Sequence, residues 1–262
     1  MIVENEISKV GFIGSGKVAT QLALALNEKR IEVTQVYSRN IDNATVLAEK
    51  VDASAIVSIT DFNKDLDLII VSISDSAFKL LDLSSVAKDT IVVHTSGSLS
   101  IDVLEQQDNY GVFYPLQTFN MFDKPDWNKI PICIETSNER IGEKLKILAK
   151  VLSNNIYDIN STERANLHLA AVFVCNFTNS MYAIGEELLD KNKISFDLLR
   201  PLIEETANKV MTKSPKILQT GPAVRNDKSI IKKHIDKLEA TPDYADIYRL
   251  MANVIYKQQN NT

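Results

Sequence analysis

Three small residues at fixed spacing, Gly14, Gly16 and Ala19, are the first in this 262-residue chain whose types and spacing point to a chemistry. They stand in Lys9-Val-Gly-Phe-Ile-Gly-Ser-Gly-Lys-Val-Ala-Thr20, with Gln21-Leu-Ala-Leu-Ala-Leu26 following. The stretch reads as a short buried strand, a tight turn and an alanine-rich helix. Gly14 permits the turn, Gly16 has no Cβ to hold a ligand away, and Ala19 lets the helix lie close to the strand. Unpaired N–H groups and the positive dipole end of such a helix attract phosphate. The chemistry expected here is therefore binding of a dinucleotide pyrophosphate by Gly14, Ser15, Gly16, Lys17 and Val18.

The end of the second strand, Glu32-Val-Thr-Gln-Val-Tyr37, selects between cofactors. A domain that binds NAD places a carboxylate about 20 residues after the glycines to hold the ribose 2′-OH. This chain has Ser38-Arg39-Asn40 there. A hydroxyl, a guanidinium and an amide suit a 2′-phosphate, and no carboxylate repels it. NADP is the expected cofactor.

Further candidates lie where later strands end. Asp67-Leu-Ile-Ile-Val-Ser-Ile73 is an apolar run of the kind buried on both faces of a parallel sheet, and it places Ile73 and Ser74 at its end. Thr90-Ile-Val-Val-His-Thr95 does the same for Thr95 and Ser96, expected at the nicotinamide-ribose end. His94 reads equally as a packed ring or a site residue. For acid–base work the candidates are His168, Asn176, Tyr114 and Ser96. Histidine is the side chain whose unperturbed charge change falls nearest neutrality, so His168 ranks first as proton donor and Tyr114 second. Arg225, in a polar loop, suits a substrate carboxylate, a pair with Asp227 or a dimer interface.

The elements that must position these residues alternate strand and helix through the first half, in five βα-type units. Apolar runs at residues 111–114, 130–134 and 155–159 extend the sheet, with a helix at 139–152. The loop at 120–129, holding Trp127, Phe122 and Pro125, reads as packed rather than as a flap. Alternation stops near residue 160. Leu167, Ala170, Ala171, Val174, Phe177, Met181 and Ile184 recur at helical spacing, predicting one helix over 162–190. Uniform α-helical phase puts His168 and Asn179 about 20° apart around its axis, and Asn176 and Ser180 about 40° apart. Helices at 197–212, 227–238 and 243–258 follow, with Pro201 tolerable in a first turn. The fold class is α/β: a doubly wound, mostly parallel, Rossmann-like sheet followed by an all-α C-terminal domain. The expected domains are residues 1–158 for NADP and 159–262 for substrate and dimerisation.

Composition excludes several classes. A net charge of -5 argues against nucleic-acid binding, which needs clustered positive charge. No uninterrupted run of about 18 apolar residues predicts a membrane span. The acidic start, Met1-Ile-Val-Glu-Asn-Glu6, is unlike a signal peptide, so a cytoplasmic location is expected. Cys133 and Cys175 have no metal-like spacing and read as reduced thiols. His94, His168 and His234 are far apart, so no metal is expected.

Taken together, the motifs resemble NADP oxidoreductases that join a Rossmann-like domain to a C-terminal helical domain of unknown function. The resemblance is carried by Gly14-Ser-Gly-Lys-Val-Ala19, His94-Thr-Ser-Gly-Ser98, Pro115-Leu-Gln-Thr-Phe119, His168-Leu-Ala-Ala-Val-Phe173 with Asn176, and Thr220-Gly-Pro-Ala-Val-Arg-Asn-Asp227 followed by His234. More distantly the layout is similar to pyrroline-5-carboxylate reductase and the β-hydroxyacid dehydrogenases. Two departures stand out. Tyr114 precedes Pro115 where many relatives have histidine. Asn176 matches an asparagine of the β-hydroxyacid dehydrogenases, but Val172 stands where those enzymes carry a lysine acid four residues earlier.

The resemblance implies NADP-linked oxidoreductase chemistry with the substrate unassigned. The expected activity is hydride transfer between the nicotinamide and a small carbonyl or imine compound, with His168 and Asn176 toward the substrate. The competing class is a non-catalytic NADP-binding sensor. A homodimer through the C-terminal helices is also expected.

Overall fold

The computed structural model describes residues 6–260. Among these, eight strands form one sheet in the order β3-β2-β1-β4-β5-β6-β7-β8. The strands are β1 (Lys9–Ile13), β2 (Glu32–Tyr37), β3 (Ser54–Ile56), β4 (Leu68–Val71), β5 (Ile91–His94), β6 (Tyr110–Pro115), β7 (Ile132–Thr136) and β8 (Ile156–Asp158). All neighbours are parallel except β6 and β7, where Phe113 opposes Ile134 in an antiparallel pair. The expected doubly wound, mostly parallel sheet is present.

Period-two alternation of side chains sorts each strand between two cores. Val10, Phe12, Leu68, Ile70, Ile91 and Val93 face one core, which Leu22, Leu26, Leu47, Leu145 and Leu148 complete. Those five come from helices α1 (Lys17–Glu28), α2 (Ile41–Lys50) and α3 (Glu139–Leu152). Ile13, Ile69, Val71 and Val92 face the other core, with Phe62, Leu83 and Leu104. Burying a side chain of this size stabilises by about 1.5–3 kcal/mol, so the two faces hold the sheet firmly.

The regular βα alternation is not complete. The connections after β4 and β5 are single 3-10 segments, Asp75–Leu80 and Ile101–Leu104. Asp82-Leu-Ser-Ser and Ser98-Leu-Ser100 are rich in residues that bond their own backbone, which favours short turns over helix. The side-chain oxygen of Ser100 accepts from Asp102 N, and that of Asp82 accepts from Ser84 N.

The loop after β6 is packed, as expected. Trp127 is buried and lies 5.5 Å from the Phe119 ring. The Gln21 amide of α1 donates to the carbonyl oxygens of Asn120 and Asp123 and pins the loop. Phe122 is exposed at its tip.

Chain contacts divide the molecule into two compact units, up to Cys175 and from Asn176 onward. The division falls inside one helical run, Ser161–Asp190. This run comprises α4 (Ser161–Ala171), a π-helical segment Val172–Phe177 and α5 (Thr178–Asp190). A π turn bonds i to i+5, so uniform 100° phase does not carry across it. The uniform phase that the alignments of His168 with Asn179 and of Asn176 with Ser180 assume is therefore interrupted.

The second unit continues with α6 (Arg200–Val210), α7 (Pro215–Leu218), α8 (Lys228–Lys237) and α9 (Pro242–Asn260). Pro201 sits in the first turn of α6, where its missing N–H costs nothing. The Asp227 side chain caps α8 by accepting from Ile230 N. Among the described residues of this unit only Ala223, Leu238 and Ala245 are buried.

Candidate active site

The sheet's strand order reverses between β1 and β4, and ligands in open α/β sheets bind outside the strand ends at such a point. A cavity of about 730 Å³ opens there, lined wholly by residues of the first unit. Its floor is the glycine turn. Gly14 has φ +110°, and a Cβ on it would fall 2.1 Å from the Ser72 carbonyl oxygen, so only glycine fits. A Cβ on Gly16 would meet nothing within 4 Å, so its backbone faces open space. Gly16 is the N-cap of α1 and supplies no side-chain cap, and the first turn holds no acidic residue. The N–H groups there are left for a ligand.

Ser15, Lys17 and Val18 line the same end. Ser38 and Arg39 line the cavity where β2 ends. Asn40 does not; its side chain accepts from Asp42 N and caps α2. Ile73, Ser74, Thr95 and Ser96 line the middle, and Thr95 Oγ donates to Ser72 Oγ at 3.1 Å.

The far end is closed by Tyr114 and His168, whose Oη and Nδ1 lie 3.1 Å apart. His168 stands on α4 and Tyr114 on β6. Between them and the cofactor end lies Gly97, where an added Cβ would fall 2.6 Å from His168 Nδ1. Burial pushes the Tyr114 phenol up to about 12, Cys133 adds to the rise, and the Arg164 charge opposes it. The phenol thus keeps its proton through the physiological range. Asn176 lies in the second unit, is exposed, and does not line this cavity.

His94 is a structural ring. It is fully buried, and its Nδ1 accepts from Ser96 N at 3.1 Å, so the proton sits on Nε2. The ring stands edge-on to Phe78. Burial first, then the Arg164 charge, push it down to about 4. Its neutral form shapes the turn that carries Thr95 and Ser96.

Sequence reasoning missed two features. The Asp75 carboxylate accepts from Ser98 Oγ and joins the loops after β4 and β5 across the cavity wall. Arg164, fully buried on α4, pairs with Glu135. The capping box of Asn160 and Glu163 that starts α4 was visible in the sequence, but the partners of Arg164 were not.

A solved protein described as "putative NADP oxidoreductase BF3122 from Bacteroides fragilis" is 42% identical, with a TM-score of 0.93 over 97% of this chain and 100% of its own. The chain belongs to the NADP oxidoreductase family. Residues 9–105 match the model "NADP oxidoreductase coenzyme F420-dependent", and residues 130–255 match a domain of unknown function, DUF2520. A pyrroline-5-carboxylate reductase from Streptococcus pyogenes shares the fold at 14% identity, with a TM-score of 0.61 over 95% of this chain and 98% of that one. An imine reductase from Myxococcus stipitatus, solved with NADP+, does so at 17% identity and a TM-score of 0.58, covering 95% of this chain and 92% of its own. A search of curated proteins finds no match.

The cofactor of this family is NADP. The uncapped start of α1, the open space before Gly16 and the pairing of Ser38 with Arg39 fit it. When bound, the nicotinamide supplies hydride chemistry; the chain supplies binding, orientation and exclusion of water.

Proposed function

We propose that this oxidoreductase transfers hydride between NADP(H) and a small carbonyl or imine compound. The observation that carries the reading is the Tyr114–His168 pair, which closes the cavity that begins at the glycine turn. Such a pair can hold and pass a proton at the Oη–Nδ1 contact, as reduction of a carbonyl requires. Gly14, Ser15, Gly16, Lys17 and Val18 hold the pyrophosphate. Ser38 and Arg39 hold the 2′-phosphate, with Asn40 acting through the start of α2. Ile73 and Ser74 lie along the cofactor, and Thr95 and Ser96 hold the nicotinamide-ribose side. The solved imine reductase and pyrroline-5-carboxylate reductase of the same fold favour an imine or cyclic imine as the first substrates to try.

Residues 1–158 form the NADP domain and 159–262 the substrate and dimerisation domain; the end of the sheet at Asp158 supports that boundary. The working form is a homodimer in the cytoplasm, binding neither nucleic acid nor membrane. Leu169, Phe173, Val174, Phe177 and Met181 are exposed along one helical run, and exposed apolar side chains of this kind suit a protein interface. That run is long and apolar enough to cross a membrane, with a mean hydropathy of 1.3 in its most apolar window. A helix at a protein interface has the same composition, and the buried Arg164–Glu135 pair near its start favours the interface. The net charge of -5 and the free Cys133 and Cys175 agree with a cytoplasmic protein that binds no nucleic acid.

The test is NADPH oxidation with a panel of cyclic imines, 2-oxo acids and aldehydes. Turnover with at least one class supports the reading. Tight NADPH binding with no turnover across the whole panel would replace it with a binding module.

A further inference from the structure

Arg164 is a charge placed at the centre of the first unit with no exposure to water. Its guanidinium donates to Glu135 Oε2, to the Leu99 carbonyl oxygen and, at 3.1 Å, to Ser161 Oγ. Glu135 also accepts from Ser161 N at 2.9 Å and from Ser161 Oγ at 2.7 Å. Ser161 Oγ accepts in turn from Ile101 N at 2.9 Å. One network thus joins strand β7, the start of α4 and the segment that follows β5.

Two walls of the cavity leave from that network. Leu99 is two residues beyond Gly97 on one of them. His168 is one helical turn beyond Arg164 on the other, on the same helix face. The two walls meet where Gly97 leaves no room for a methyl group beside the His168 ring. A buried ion pair is weak support for stability, because desolvation of both charges offsets their attraction; apolar residues of the same volume commonly do as well. Geometry is what such a pair supplies.

We propose that Arg164 is the positioning residue of this site, clamping His168 and the Thr95–Gly97 turn at one separation. The inference rests on the reading that this end of the cavity is where the reaction occurs. The guanidinium fork is essential, because it reaches Glu135 and Leu99 at the same time and an ammonium does not. Its charge has a second effect on the same turn, helping to keep the His94 ring neutral and so able to accept from Ser96 N.

The test uses the full chain in three forms: Arg164→Met, Arg164→Lys and the double variant Arg164→Met/Glu135→Gln. Each is measured for thermal stability, for NADPH affinity by fluorescence, and for the His168 ring resonance by isotope-edited NMR, assigned with His168→Asn. Arg164→Met leaves the partly buried Glu135 carboxylate without its guanidinium and loses stability; the double variant removes that charge and regains most of it. Positioning predicts that the double variant still binds NADPH at least about fivefold more weakly, with the His168 resonance moved. A double variant within about twofold of the parent affinity, its His168 resonance unmoved, would overturn the proposal. If the methionine variants do not fold, Arg164→Lys decides: a moved resonance supports the clamp and an unmoved one overturns it. Unchanged turnover in His168→Asn together with a moved resonance in the Arg164 variants would remove the acid role and leave the clamp standing.

Discussion

Tyr114 and His168 come from a strand and a helix 54 residues apart in sequence, yet their Oη and Nδ1 atoms lie 3.1 Å from one another at the end of the cavity. Neither has another hydrogen-bonding side chain among its described contacts, so each is oriented by the other. Replacing either one should impair the reaction. His168→Asn should lower kcat by about 100-fold, the size expected of a lost general acid. Tyr114→Phe should lower it less, by disorienting the ring. Steady-state rates with a carbonyl substrate provide the check.

Gly97 gives a steric test of the same place. Gly97→Ala drives a methyl group to 2.6 Å from His168 Nδ1, so the ring or the turn must move. Overpacking of this kind costs about 1–3 kcal/mol, which differential scanning calorimetry reads as a lower Tm. NADPH affinity should fall with it. A variant with unchanged Tm and affinity would show that the contact yields freely.

Arg39 is the residue proposed to select the cofactor. Arg39→Glu should weaken NADPH by about tenfold to a hundredfold, the worth of a lost charge-assisted bond with repulsion added, while NADH changes far less. Equilibrium titration with both dinucleotides separates the cases, and equal losses would rule out the 2′-phosphate contact.

Acid stability should report His94. Its folded value, pushed down to about 4, lies below its ordinary 6.5, so the unfolded chain binds the extra proton first. Stability from the neutral ring is complete above about pH 6.5 and is lost as pH falls toward 4, by about 3 kcal/mol in all. His94→Gln keeps an acceptor for Ser96 N and takes up no proton. Urea unfolding between pH 5 and pH 7 should therefore slope less steeply in the variant than in the parent.

The exposed apolar run gives a test independent of the cavity. Val174→Asp, at a residue 75% exposed, places a charge in the proposed dimer surface without disturbing a core. Light scattering should show a dimer for the parent and a monomer for the variant. A monomeric parent at micromolar concentration would remove the dimer.

Legibility from the sequence followed the physics of each segment. Strand β2 and helix α3 were read to the residue, since clear apolar patterning and an Asn138 cap mark them. The glycine turn was legible because its chemistry is local. The 3-10 connections after β4 and β5 were not, because short serine-rich stretches satisfy turn and helix patterns alike. The π-helical segment was invisible to any reading that assumes a constant 3.6-residue period. The role of Arg164 was not legible, since Glu135 lies 29 residues earlier and only the fold brings them together. Asn40 carried the right chemistry for phosphate but is occupied as a helix cap.

The helix proposed to receive the pyrophosphate, α1, begins without a side-chain cap of its own. Such a helix start is completed by its ligand, and a ligand that binds only the folded chain stabilises it by about 2.7 kcal/mol at a hundredfold excess over its Kd. A bound dinucleotide, oxidised or reduced, would then lengthen the molecule's working lifetime. Where the dinucleotide is scarce, more of the chain would sample opened forms that proteases cut. The glycine proposed to make room for the cofactor would then also link the protein's persistence to how much cofactor there is.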